Sequence, residues 1–121
     1  MNPCLSPSDF GFHNVIRRPD GSFCFLDFEH AGWDDPAKLA ADFILQPEAP
    51  LSAEAADRFT DALRDGAVFG PQLASRVGRI LPVQKCKWTA IILNVFERTA
   101  ASEESKAARL TKATAYWGSA A

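Results

Sequence analysis

The spacing of apolar and polar positions changes character about a third of the way along the chain. Residues 1–35 are rich in Pro, Gly, Asp and Phe, whereas residues 36–118 are rich in Ala, Leu and charge, with apolar residues at helical spacing. In the first part, Asn14-Val15-Ile16-Arg17-Arg18 and Ser22-Phe23-Cys24-Phe25-Leu26 flank Pro19-Asp20-Gly21. Two β-favouring runs around an Asp-Gly turn predict a hairpin. With Asp20-Gly21 as a two-residue loop, cross-strand partners sum to 41, which sets Arg17 against Cys24, Val15 against Leu26 and Asn14 against Asp27. A longer loop, with Pro19 at the second turn position, slips this register by a residue or two. Either arrangement brings Asn14 close to Asp27.

The second part predicts a helical body. Asp35-Pro36 supplies an N-cap acid and a proline at the first helical position. Leu39, Phe43 and the neighbouring alanines form the buried stripe of that helix, and Gln46-Pro47 ends it. Ser52 caps a second helix that presents Ala55, Ala56, Phe59 and Leu63, with Gly66 near its end. Gly70-Pro71 opens a third, carrying Leu73, Val77, Ile80 and Leu81, which Pro82 kinks or breaks. Trp88, Ile91, Ile92, Val95 and Phe96 follow at 3.6-residue spacing. Ser102, with Glu103 and Glu104, starts a last helix with Leu110, Thr114 and Trp117 facing inward. The expectation is one α+β unit, mostly helical, in which a loop and hairpin (1–35) precede a body of about four or five helices (36–118).

Composition narrows the class. The 121 residues are 47% apolar and carry 13 basic against 15 acidic side chains. That is too apolar for a disordered chain and too balanced for electrostatic capture of nucleic acid. The longest strictly apolar runs, such as Ala90-Ile91-Ile92-Leu93, are far short of a bilayer span. The first six residues carry neither a basic nor an apolar segment of a signal peptide. Cys4, Cys24 and Cys86 are odd in number and widely spaced, as expected of reduced thiols in a cytoplasmic protein.

The candidate chemistry lies in Ser6-Pro7-Ser8-Asp9-Phe10-Gly11-Phe12-His13-Asn14 and Leu26-Asp27-Phe28-Glu29. Asp9 and Asn14 have the Asp-x4-Asn spacing of a kinase catalytic loop, and Asp27 stands where the returning hairpin strand would carry a metal-binding carboxylate. Phosphoryl transfer needs such a set: one carboxylate to take the acceptor's proton, and a carboxylate with an amide oxygen for the magnesium ions that neutralise the phosphates.

These segments, extended through Phe25 to Pro36, resemble the catalytic region of the aminoglycoside phosphotransferase and choline kinase-like family of small-molecule kinases. The likeness covers residues 5–45, and Lys87-Trp88 through Asn94-Val95-Phe96 resembles a late helix of some members. It implies the C-terminal lobe of a protein-kinase-like fold, with ATP as co-substrate and Mg2+ as cofactor. Asp9 is then the catalytic base, and Asn14 and Asp27 are the metal ligands. Glu29, His13 and Asp42 are candidates for supporting these groups. Pro7 replaces a structural histidine common in kinases, Glu29 replaces a glycine of protein kinases, and Leu39 replaces an aspartate of many relatives, with Asp42 one turn further on.

No Gly-rich loop, strand lysine or helix glutamate precedes Asp9, so nothing in this sequence supplies the nucleotide-binding lobe. The expectation is a catalytic-lobe fragment, inactive or nearly so alone. Its partners would be a small hydroxyl-bearing substrate and a missing N-terminal lobe or a second copy, with neither nucleic acid nor membrane. The alternative is a non-catalytic interaction module or degenerate remnant that associates with itself or another chain. Other signals read as structure. Asp35 is a cap, Asp34 a cap or solvated, and His30 exposed. Trp33, Trp88, Tyr116 and Trp117 are packing residues, and Arg76, Arg79, Lys85 and Lys87 a solvated helix face. Asp57, Asp61, Glu97, Glu103 and Glu104 serve equally as recognition groups for an amine or as ordinary surface charge, so the acceptor is not readable.

Overall fold

The structure is a computed structural model that describes residues 3–65, 70 and 72–119. It is α+β, with four short strands followed by four α-helices among the described residues. Strand β1 (Cys4–Ser6) pairs antiparallel with β4 (Gly32–Asp34), and β2 (Val15–Arg17) pairs antiparallel with β3 (Phe23–Phe25). The second ladder lies inside the first in sequence. Residues 7–14 and 26–31 are therefore the two sides of one gap between the ladders.

The hairpin forms where its sequence predicts, in the longer-loop register and not the two-residue one. Val15 faces Phe25 and Arg17 faces Phe23, and Leu26 N–H donates to Asn14 O at 2.9 Å. Asn14 therefore lies opposite Leu26, one residue away from Asp27. The cause is the turn. Gly21 N–H donates to Arg18 O, and Arg18 N–H to Ser22 O, which makes Pro19-Asp20-Gly21 a three-residue loop. Gly21, at φ +85°, supplies the left-handed residue such a loop requires. Asp20 Oδ1 accepts from Ser22 N and Oγ at 2.9 and 2.7 Å, which closes the turn and lowers the carboxyl's pKa.

Helix α1 (Pro36–Ile44) starts on Asp35, whose side chain accepts from Ala37 N at 2.8 Å. Helix α2 (Ala53–Asp65) starts after Ser52, whose hydroxyl accepts from Ala55 N, and α4 (Glu103–Gly118) starts on Ser102, whose hydroxyl accepts from Ser105 N. The core joins Ala37, Ala40 and Ala41 of α1 to Leu73 and Val77 of α3 (Gln72–Leu93), with Phe59 and Leu63 of α2 against it. Three alanines let α1 approach α3 closely, and α3 also packs on α2 and α4. No helix among the described residues is long and apolar enough to cross a membrane. The expected roles of Gly66 and Pro71 at helix ends lie outside the described residues.

Pro82 neither breaks the third helix nor starts a new one: α3 runs from Gln72 to Leu93 through it. A proline inside a helix costs about 3 kcal/mol through a lost hydrogen bond and a ring clash. Burial on both sides of it, at Leu73 and Val77 and again at Gln84 and Ile92, holds the helix together. The last helix is rotated from its expected face. Leu110 and Trp117 are 54% and 55% exposed, while Ala113 is buried. Polar anchors set this rotation: Tyr116 Oη donates to Leu45 O at 2.8 Å, and Lys112 Nζ donates to Glu48 Oε1 at 2.6 Å. Burial, reinforced by the Asp42 charge, pushes the Tyr116 phenol up to about 12. Trp33 is likewise exposed, at 76%, and is not core.

The basic residues of α3 reach back to α1. Arg76 pairs with Asp35, and Lys87 with Asp42, so neither belongs to a solvated face. Asp42 is 2% exposed and is also met by Lys38 at 3.2 Å, and Lys38 reaches Asp34 at 2.5 Å. A buried carboxylate is tolerable only with such partners. At Asp34, burial works to raise the carboxyl pKa, but the Lys38 hydrogen bond, the Asp35 N–H and the lysine charges bring it below its ordinary 3.8.

Two predictions follow from this packing. Leu73→Ala should cost about 2–5 kcal/mol in urea denaturation, while Leu110→Ala should stay within about 0.5 kcal/mol; equal effects would mean that α4 buries the other face. Because the Asp34 pKa is depressed on folding, its stabilisation is present above the unfolded value and fades as pH falls through the folded one. The urea midpoint of Asp34→Asn should therefore drop less than that of the parent between pH 5 and pH 3, and parallel curves would contradict the Lys38 contact.

Candidate functional site

Asp9 sits on a strained approach. Its N–H closes a three-residue turn on Pro7 O at 3.0 Å, and the central residue, Ser8, has φ +72°. That left-handed geometry is rare and unfavourable for a non-glycine residue. It is held by Ser8 N–H donating to the hydroxyl of buried Ser6 at 3.0 Å. The effect is to turn Asp9 out of the line of β1.

The Asp9 carboxylate is then fixed from both sides. Gln46 Nε2 donates to Oδ1 at 2.7 Å, and His13 Nε2 lies 3.3 Å from Oδ2. Gln46, 2% exposed, follows α1, and its own Oε1 accepts from Glu48 N at 3.2 Å, which holds the amide in one orientation. Gly11 explains how the loop comes so close. A Cβ there would stand 2.7 Å from His13 Nδ1 and 3.0 Å from Gln46 Cγ, so no larger residue fits without moving them.

Asn14 ends the single 3₁₀ turn Phe12–Asn14 and donates its Nδ2 to Asp9 O at 3.0 Å. With the nitrogen occupied, the amide oxygen is the atom available to a cation. Asp9, Asn14, Phe10 and Gly11 line a cavity of about 200 Å³, closed from the hairpin side by Phe25, Leu26 and Phe28. Asp27 is absent from that lining. It is exposed, stands at φ +61°, and has no hydrogen-bond or ion-pair partner among the described residues. An unpaired carboxylate in the left-handed region, directly after the residue bonded to Asn14, is the kind of costly conformation that collects at functional sites.

The structure thus brings Asp9, Asn14 and His13 into direct contact and sets the backbone of Asp27 beside Asn14. Glu29 is not drawn in. Its carboxylate lies 3.4 Å from His30 Nε2, both side chains exposed, on a turn closed by Ala31 N–H on Phe28 O. Asp42 is held by Lys38 and Lys87 between α1 and α3. Sequence reading missed Gln46 as a partner of Asp9. A glutamine before Pro47 reads as a helix end, and only the folded chain shows that 37 positions of separation vanish in one hydrogen bond.

Mg2+ would draw on the Asn14 amide oxygen and the Asp27 carboxylate. It takes hard oxygen ligands, often one or two protein groups completed by substrate phosphates and water. The Asn14 amide oxygen and the unpaired Asp27 carboxylate are oxygen donors of that kind, although Asp27 is exposed and outside the cavity that Asn14 lines. Among the described residues no group of three or more His, Cys, Asp or Glu is placed to hold a metal alone. The cysteines are free thiols, and burial, with Asp34 adding, pushes the Cys4 thiol up, away from reactivity.

No protein-family model, no curated protein and no solved structure matches the chain.

The Gln46 contact makes a direct prediction. Gln46→Ala should free Asp9 Oδ1 and leave the protein folded but destabilised by about 1–3 kcal/mol. The backbone amides of residues 8–14 should then shift together in an NMR spectrum. Shifts confined to the end of α1 would show that the two segments are not joined.

Proposed function

We propose that this chain carries the acceptor-activating and metal-binding segments of a Mg2+-dependent phosphotransferase acting on a hydroxyl group of a small molecule. The observation that carries the reading is the gap between the nested ladders. One side holds a carboxylate anchored by Gln46 beside an amide with a free oxygen, and on the other side Asp27, exposed and unpaired, directly follows the residue whose N–H is bonded to Asn14 O. The likeness of residues 5–45 to small-molecule kinases assigns matching roles to the same three positions.

On this reading Asp9 orients the acceptor hydroxyl and takes its proton as the oxygen attacks phosphorus. Oδ1 is occupied by Gln46, so Oδ2 is the basic atom, and it faces His13. Asn14 Oδ1 and the Asp27 carboxylate would hold magnesium, whose charge offsets that of the transferring phosphates. No phosphate clamp of the Gly-rich loop and lysine kind stands in this sequence, and positioning supplies most of catalysis in phosphoryl transfer. The chain by itself is therefore expected to bind the cation and to transfer phosphate slowly or not at all.

A second reading has its own observation. Leu5, Phe12, Phe23, Phe28 and Trp33 are all more than half exposed, an unusual density of large apolar side chains for 35 residues. That surface suits association with another chain, and catalysis would then be no part of this chain's role.

Magnesium binding separates the two. At tenfold excess over its dissociation constant, Mg2+ should stabilise the fold by about 1.4 kcal/mol, or roughly 3–6 °C in melting temperature. Asp27→Asn, which keeps the size and tolerates φ +61° equally well, should abolish the shift without lowering the melting temperature in chelator. A shift unchanged by Asp27→Asn sinks the phosphotransfer reading. Concentration-dependent sedimentation with no magnesium effect supports association instead.

A further inference from the structure

Beside the Asp9 site lies a second cavity of about 380 Å³ that the phosphoryl-transfer residues do not use. Its walls are aromatic. Phe43 of α1 stands at the centre, with ring centroids 5.0 Å from Phe10, 5.4 Å from Phe12 and 4.7 Å from Phe59 of α2. Leu51 extends the apolar wall, and Arg58 is the one charged residue in the lining. Phe10 belongs to both this cavity and the smaller one lined by Asp9 and Asn14, so the two share a wall. The volume is that of a small-molecule site.

We infer that this cavity binds a small aromatic molecule carrying an anionic group, its ring packed against the phenylalanine cluster and its anion on Arg58. Aromatic rings pack in offset or edge-to-face contact with such walls. A π-rich box alone would equally suit a cation, and the guanidinium decides against one. Arg58 is exposed and has no carboxylate partner among the described residues, although Glu54 stands one helical turn before it; the nearby Asp61 pairs with Arg64 at 2.9 Å. A planar guanidinium left unpaired at the mouth of an apolar cavity matches a carboxylate in both charge and shape. No acid lines the cavity to attract an amine. If the phosphotransfer reading holds, which this step rests on for its catalytic meaning alone, the bound molecule is the acceptor, and its hydroxyl passes Phe10 to reach Asp9.

Two probes with the same hydroxylated ring and opposite charge test the site: 4-hydroxyphenylacetate and tyramine, titrated by calorimetry without nucleotide or metal. The parent protein should bind the acid saturably and at least tenfold more tightly than the amine. Arg58→Glu, an exposed change that keeps the helix, should reverse that order, with circular dichroism unchanged. Equal binding of the two probes, no binding of either, or an order that survives Arg58→Glu overturns the inference. The assay needs no magnesium, so loss of the cation site at Asp27 with the acid preference intact removes only the phosphotransfer reading, and the reverse result removes only this cavity's role.

Discussion

Everything near the candidate site depends on one antiparallel ladder being enclosed by another. The Val15–Arg17 and Phe23–Phe25 strands pair through a three-residue turn, and the Cys4–Ser6 and Gly32–Asp34 strands pair outside them. Each ladder is only three residues long and is weak by itself. Together they fix both ends of the segments 7–14 and 26–31. Two loops with four anchored ends flank one gap, and in this way a short chain sets Asp9 and Asn14 in one cavity with the backbone of Asp27 beside Asn14.

The helical body stiffens this arrangement through α1. Its start is capped by Asp35, which Arg76 grips from α3, and its middle carries Asp42, buried between Lys38 and Lys87. Just beyond its end, Leu45 O receives the Tyr116 hydroxyl, and Gln46 reaches the Asp9 carboxylate. Core packing of α1 on α3, the ion pairs and the site are therefore linked in series. A change that loosens α1 against α3 should be felt at Asp9, whose hydrogen-bond partners among the described residues include Gln46 just beyond α1.

Much of this was legible in the sequence, for reasons that are local. Asp-Pro at 35–36, Ser52 and Ser102 announce helix starts because a cap needs only its own next few residues. Asp-Gly announces the hairpin for the same reason. What was not legible depends on distance or on fine geometry. The outer ladder has three residues a side and no alternation long enough to read, so β1 and β4 went unseen. Register turned on whether Pro19 joined the loop, and it did. The rotation of α4 was decided by Tyr116 and Lys112 finding partners at Leu45 and Glu48, which outweighed the hydrophobicity of Leu110 and Trp117. Of the site, Asp9, Asn14 and Asp27 stood out by spacing. Gln46 could not, because its role exists only across the fold.

The most direct measurement of the central claim, that two facing loops form one divalent-cation site, uses Mn2+ as a paramagnetic substitute in NMR. At substoichiometric Mn2+, amide signals from residues 9–14 and from residues 26–28 should broaden together and recover together on adding Mg2+. Broadening confined to one of the two segments, or centred on surface acids such as Glu103 and Glu104, would contradict it.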